Sequence, residues 1–184
     1  MFSLLKAYKT YDPAAKSYLE ILLLYPGLKA LVIHRLAHFL YKKNVPFIPR
    51  LLSGFARFLT QIEIHPGATI GQNVIIDHGS GIVIGETAEV GNNVLIYQGV
   101  TLGGTHLDPV KRHPTIGDHV VIGAGAKVLG NITVGEGSRI GANSVVIDNV
   151  PPHSTAVGIP VRILHRGVSK GHELDHEQIL DFQI

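Results

Sequence analysis

Cysteine and tryptophan are absent and there is a single methionine. Without a thiol the chain has no disulfide framework, no thiolate zinc site and no cysteine nucleophile. Charged residues are scarce, at 16%, and nearly balanced. The formal charge of +2 at pH 7 gives no electrostatic footprint for a nucleic acid. Long apolar runs are missing too. The longest, Ile21 to Tyr25, stops at Pro26-Gly27 with Lys29 behind it, against roughly 18 to 20 residues for a bilayer span. Residues 1–9 lack the apolar core and small-residue cleavage site of a secretory signal. The expectation is a soluble, cytoplasmic protein with no membrane partner. What is plentiful is turn-forming residues, 21 Gly and 10 Pro in 184 positions, beside 45% hydrophobic residues. That balance predicts a real core threaded by many turns.

Two halves obey different periods. Through residue 61 the pattern is helical: Leu28, Leu31, Val32, Leu36, Phe39 and Leu40 recur at three- and four-residue steps. Lys29, His34, Arg35, His38 and Lys42 take much of the remaining circumference. Pro26, Pro46 and Pro49 predict three or four short helices, and Asp12-Pro13 reads as a helix start with Asp12 as N-cap.

After Ile62 an aliphatic residue opens each six-residue block: Ile64, Ile70 and Ile76, then Ile84, Val90, Ile96 and Leu102, then Ile116, Ile122, Val128, Val134, Ile140 and Val146. Glycine commonly follows the opener. A small or branched residue (Ala68, Val74, Ser80, Ala88, Val94, Val100, Val120, Ala126) stands four places after it. Neither a helix nor an alternating strand repeats in this way. A coil of short parallel strands does, with three blocks making one triangular turn of about 18 residues. The predicted architecture is mainly β: a helical region at 1–61, a left-handed parallel β-helix at 62–162 and a polar tail at 163–184. Such a prism needs covering at both ends. The helices are expected at one, and Pro151-Pro152 with the tail at the other.

The rhythm breaks near Gly79-Ser80-Gly81 and again over 105–115. Regular solenoids have no structural need for interruptions, and loops held on rigid scaffolds commonly carry binding residues. Both breaks hold histidine, in Asp77-His78 and in Arg112-His113.

These runs resemble the serine O-acetyltransferases. The resemblance lies in Glu63-Ile64-His65-Pro66-Gly67-Ala68, Asp77-His78-Gly79, Gly85-Glu86-Thr87-Ala88, Thr101-Leu102-Gly103-Gly104-Thr105, Arg112-His113-Pro114 and Gly123-Ala124-Gly125-Ala126-Lys127. It extends from about Asp12 to Arg162. It implies acetyl transfer from acetyl-CoA to the L-serine hydroxyl, with His78 as general base and Glu63 as its carboxylate partner. The family more often has Asp where Glu63 stands. By the same resemblance Arg112 grips the serine carboxylate with His113 beside it, Asp77 and Asp12 hold the ammonium, and Glu86 supports that pocket. Gly103, Gly104 and Ala124 would leave a slot for pantetheine, and Lys127, Arg139 and Arg162 would meet the nucleotide phosphates. No metal is expected.

Relatives of this kind are homotrimers with the site between prisms, and longer-helixed ones are hexamers. The short helical region favours a trimer. A C-terminal isoleucine in the resembled family enters O-acetylserine sulfhydrylase, which makes Ile184 a partner-binding residue. Two enzyme readings compete: a zinc lyase resembling the γ-class carbonic anhydrases, using His78, His113 and His119, and an acetyltransferase with homoserine or another acceptor. A third is a non-enzymatic scaffold.

Overall fold

The computed structural model describes residues 2–165. Four helices precede every strand: α1 (Phe2–Tyr11), α2 (Tyr18–Leu24), α3 (Pro26–Lys42) and α4 (Ile48–Thr60). The start of α2 is set by a reciprocal cap. Ser17 Oγ accepts from the Glu20 N–H at 3.1 Å, while Glu20 Oε2 accepts from the Lys16 N–H at 2.9 Å. Asp12 is therefore not an N-cap. It directly follows α1, where its N–H donates to Tyr8 O, and its Oδ1 accepts from the Ala14 N–H at 2.8 Å. Ser17-x-x-Glu20 was the stronger start signal, and Pro26 opens α3 rather than ending a helix.

The buried face of α3 also differs from the expected one. Gly27, Leu28, Ala30, Leu31, His34 and Ala37 face inward, whereas Leu36 and Phe39 are exposed. Close approach explains the choice of small residues. A Cβ on Gly27 would lie 2.2 Å from the Ile76 carbonyl oxygen and 2.7 Å from the Tyr8 hydroxyl.

The strands form five coils. The first is β1 (Glu63–Ile64), β2 (Thr69–Ile70) and β3 (Ile75–Ile76), and the second is β4 (Val83–Ile84), β5 (Glu89–Val90) and β6 (Leu95–Ile96). The third is β7 (Thr101–Gly103), β8 (Thr115–Ile116) and β9 (Val121–Ile122), and the fourth is β10 (Lys127–Leu129), β11 (Thr133–Val134) and β12 (Arg139–Ile140). The fifth comprises β13 (Val145–Val146), a bridge at Val150, and β14 (Ser154–Val157). Parallel pairing gives three faces, β1-β4-β7-β10-β13, β2-β5-β8-β11 and β3-β6-β9-β12-β14. The fold is the left-handed parallel β-helix that the six-residue period predicts.

Register follows from which residues stack inside. Ile64, Ile84, Leu102, Val128 and Val146 form one column, and Ile76, Ile96, Ile122, Ile140 and Ala156 another, all buried. A regular coil advances 18 positions, as in Val83↔Thr101 and Lys127↔Val145. Glu63↔Val83 spans two more and Thr101↔Lys127 eight more. Both surpluses are absorbed at corners. At the first, Ser80 is exposed and Ile82 takes the interior place.

Helical side chains pair the open edge of the first coil. The Tyr8 hydroxyl accepts from the Ile76 N–H and donates to the Ile76 carbonyl, Ser53 Oγ donates to the Ile64 carbonyl at 2.6 Å, and His38 Nδ1 meets the Pro66 carbonyl at 2.8 Å. At the far end, the first residues of the tail, 163–165, join the prism as part of one more strand. There β15 (Arg162–His165) runs antiparallel to β14, carrying the sheet past residue 162.

Burial at this helix–prism seam holds the His34 imidazole down at about 4, against an ordinary 6.5, with the nearby His38 adding to the effect. Its Nδ1 has no hydrogen-bond partner among the described residues. Below pH 6.5 the unfolded chain therefore binds a proton that the folded one refuses, so stability falls with pH until about pH 4. The expected loss from this one group is about 3 kcal/mol. In urea titrations between pH 7 and pH 4.5, His34→Leu should show a visibly flatter decline than the parent.

Candidate active site

The corner between the third and first faces collects Asp77 and His78, directly after β3. His78 is exposed and held at φ 56°, a left-handed conformation uncommon outside glycine. Asp77 Oδ1 accepts the His78 N–H at 2.9 Å, and Oδ2 accepts the Tyr11 hydroxyl at 3.0 Å. Tyr11 also meets the Tyr97 hydroxyl at 2.8 Å. Burial and these two neighbours push the Tyr11 phenol far upward, so it remains protonated. Asp12 accepts from the Tyr25 hydroxyl, whose ionisation that bond pushes up to about 12; Asp77 acts on Tyr25 in the same sense. Asp12, Asp77 and His78 are thus brought together, with three tyrosines that sequence reasoning did not select. Nothing but their helical or strand-end positions could have flagged them.

Along this corner Gly81, Gly99 and Gly125 stack with φ of 76°, 70° and 72°. A Cβ on Gly99 would lie 3.4 Å from Gly125 Cα. The strip is consequently bare of side chains, and Ala124 lies beside it. The Lys127 ammonium is turned back onto the Gly99 carbonyl.

The opposite edge of the first face carries the second group. After β7 the chain leaves at Gly103-Gly104, makes its excursion, and returns through Arg112 and His113. Gly104 accommodates Arg112, whose Cγ would lie 3.2 Å from an added Cβ. Arg112 Nη2 donates to Glu86 Oε2 at 2.7 Å, and the Tyr41 hydroxyl of α3 donates to Glu86 Oε1 at 3.2 Å. The guanidinium, foremost, lowers the Glu86 carboxyl. His113 is buried, and burial followed by the Arg112 charge lowers its imidazole. His65 completes the surroundings, its ring edge-on to Tyr41 at 5.9 Å.

Other expected residues lie elsewhere. Glu63 accepts from Arg57 Nη1 at 2.9 Å, and among the described residues no hydrogen bond joins it to His78. Arg139 and Arg162 lie on the third-face strands β12 and β15, away from Lys127 on the first. His119 occupies the third corner at φ 59°, so His78, His113 and His119 stand at three different corners of one prism. Among the described residues no three His, Asp or Glu side chains form a group able to hold a metal. Ile184 lies outside the described residues.

A five-coil prism with a loop excursion and paired histidine corners defines a class. Residues 63–98 match the hexapeptide repeat of succinyl-transferase and residues 113–148 the bacterial transferase hexapeptide model (six repeats). This is a hexapeptide-repeat acyltransferase.

Whole-chain similarity narrows the class. The serine acetyltransferase of Synechococcus elongatus is 60% identical over 170 residues, covering 92% of this chain and 70% of that protein. A crystal structure of Neisseria gonorrhoeae serine acetyltransferase superposes with a TM-score of 0.86 at 42% identity. It covers 89% of this chain, which spans 65% of the gonococcal one. A serine acetyltransferase solved in complex with CoA gives 0.83 at 42%, covering 88% of this chain and 67% of that one. The chain belongs to the serine acetyltransferase family.

Gly85 makes the seat for His113, because a Cβ there would lie 2.0 Å from Nε2 and 2.1 Å from Cδ2. Gly85→Ala should lower stability by about 1–3 kcal/mol through overpacking. In a His113→Ala background most of that cost should vanish, which chemical denaturation of the four-member cycle reads directly.

Proposed function

We propose that this chain is a serine acetyltransferase, moving the acetyl group of acetyl-CoA to the hydroxyl of L-serine. One observation carries the reading: the two histidine-bearing groups stand at opposite edges of the same prism face. Within one chain they are separated by that face. Two prisms side by side unite one group from each, and a cyclic homotrimer makes three equal clefts.

In such a cleft His78 accepts the serine hydroxyl proton as the oxygen attacks the thioester carbonyl. The tetrahedral adduct then expels the CoA sulfur, which takes the proton from the imidazolium. Asp77 and Asp12 receive the serine ammonium, and Arg112 receives its carboxylate in the two-pronged manner lysine cannot supply. Glu86 holds that guanidinium ready. Glu63 reaches His78 only by exchanging its Arg57 partner, so its role is to orient the imidazole in the loaded site. The glycine strip with Ala124 favours the pantetheine arm beside His78, and Gly103 with Gly104 flanks it on the other prism. Lys127, beside the strip, receives the nucleotide phosphates, while Arg139 and Arg162 stand apart from it on the third face.

The product, O-acetylserine, is an activated precursor for cysteine formation. Ile184 is proposed to engage the O-acetylserine sulfhydrylase that consumes it, in the cytoplasm.

General-base assistance is worth roughly 10²–10⁴ in rate. His78→Ala should therefore lower kcat for L-serine by about that range with the serine KM little changed, since the exposed ring supports no part of the core. Thiol release from acetyl-CoA measures it, with homoserine as the competing acceptor. Unchanged turnover, or preference for homoserine, would reject the assignment.

A further inference from the structure

The proposed acceptor site leaves the atom-level role of His113 open, and Thr87 decides it. The Thr87 hydroxyl oxygen receives two backbone donors, Arg112 N–H at 3.0 Å and His113 N–H at 3.2 Å. A hydroxyl has two acceptor positions and one proton. With both acceptor positions taken, the proton has to point elsewhere, and His113 Nδ1 stands 2.9 Å away. The Thr87 backbone N–H points at the same nitrogen from 3.2 Å. Two donors therefore converge on Nδ1, which has to present a lone pair. The ring proton is left on Nε2. Among the described residues no hydrogen bond reaches that atom, which lies over the bare Cα of Gly85. It is the one polar edge of His113 left for a ligand.

We propose that Thr87 is a positioning residue that fixes His113 as its Nε2–H tautomer, making His113 a hydrogen-bond donor to the acceptor substrate rather than a second base. The inference rests on the serine-transfer reading for its consequence, but not for its geometry. Burial and Arg112 keep the ring neutral near pH 7, consistent with two donors at Nδ1. The charged and titratable groups around it are Arg112, Lys111 and His106 on the loop, Glu86 on the β4–β5 turn and His65 on the β1–β2 turn. Lys111 is itself tied to the Thr87 carbonyl and Glu89, so the same turn anchors the loop's charge.

The test is nitrogen NMR of histidine-labelled, ligand-free protein, compared for the parent, Thr87→Val and Thr87→Ser, with serine kinetics alongside. The parent should show a protonated Nε2 and a bare Nδ1 at neutral pH. Thr87→Val should populate the other tautomer, raise the pH at which His113 titrates and cut kcat/KM for serine about tenfold, the scale of one lost hydrogen bond. Thr87→Ser should recover the tautomer and most of that loss. A parent spectrum with the proton on Nδ1 overturns the proposal, as does a Thr87→Val protein with unaltered tautomer and titration. If the valine protein fails to fold, the parent spectrum and the serine variant decide. Absence of serine acetylation by the parent would remove the proposed function while leaving the tautomer result standing.

Discussion

The inward column of one aliphatic side chain per strand is the constraint to which everything else yields. Each such side chain is worth about 1.5–3 kcal/mol when fully buried, and each sits on its counterpart in the coils above and below. Slipping one strand by one residue turns its whole set outward. Extra chain is therefore tolerated only where the walls meet. The candidate site residues gather at those places: the two-residue surplus beside His78 and the eight-residue surplus before Arg112.

Sealing the prism and building the site are one task for the helices. Tyr8 of α1 satisfies both backbone groups of Ile76, and three residues later the same helix supplies Tyr11 to Asp77. His38 of α3 covers the Pro66 carbonyl, and Tyr41, one turn on, reaches Glu86. A change that loosens a helix from the first coil thus reaches Asp77 or Glu86 through a single side chain. The small residues of α3, Gly27 and Ala30 above all, keep that distance short.

The six-residue period made the prism, its faces and its two interruptions readable before any coordinates, because an aliphatic opener at Ile84 or Ile122 has only one geometric use. Partners were less readable. The family resemblance paired Glu63 with His78, yet the glutamate turns to Arg57. Hydropathy assigned His34 to the outer circumference of α3, whereas the helix rests on its small-residue side and takes the imidazole inward. Asp12 read as an N-cap, whereas Ser17 and Glu20 cap the next helix. Thr87 gave no signal at all beyond its place between Glu86 and Ala88. A hydroxyl that acts by orienting a neighbour is visible only once hydrogen bonds can be counted.

The excursion between β7 and β8 enters and leaves at a single edge, and Glu89↔Thr115 and Leu95↔Val121 carry the identical surplus. Its length is consequently decoupled from every rung above and below. Lengthening such a loop costs little closure entropy, only about 0.6 kcal/mol per doubling. Evolution can remodel this rim while leaving the pillar untouched, so divergence of the loop within this architecture requires no compensating repair of the core.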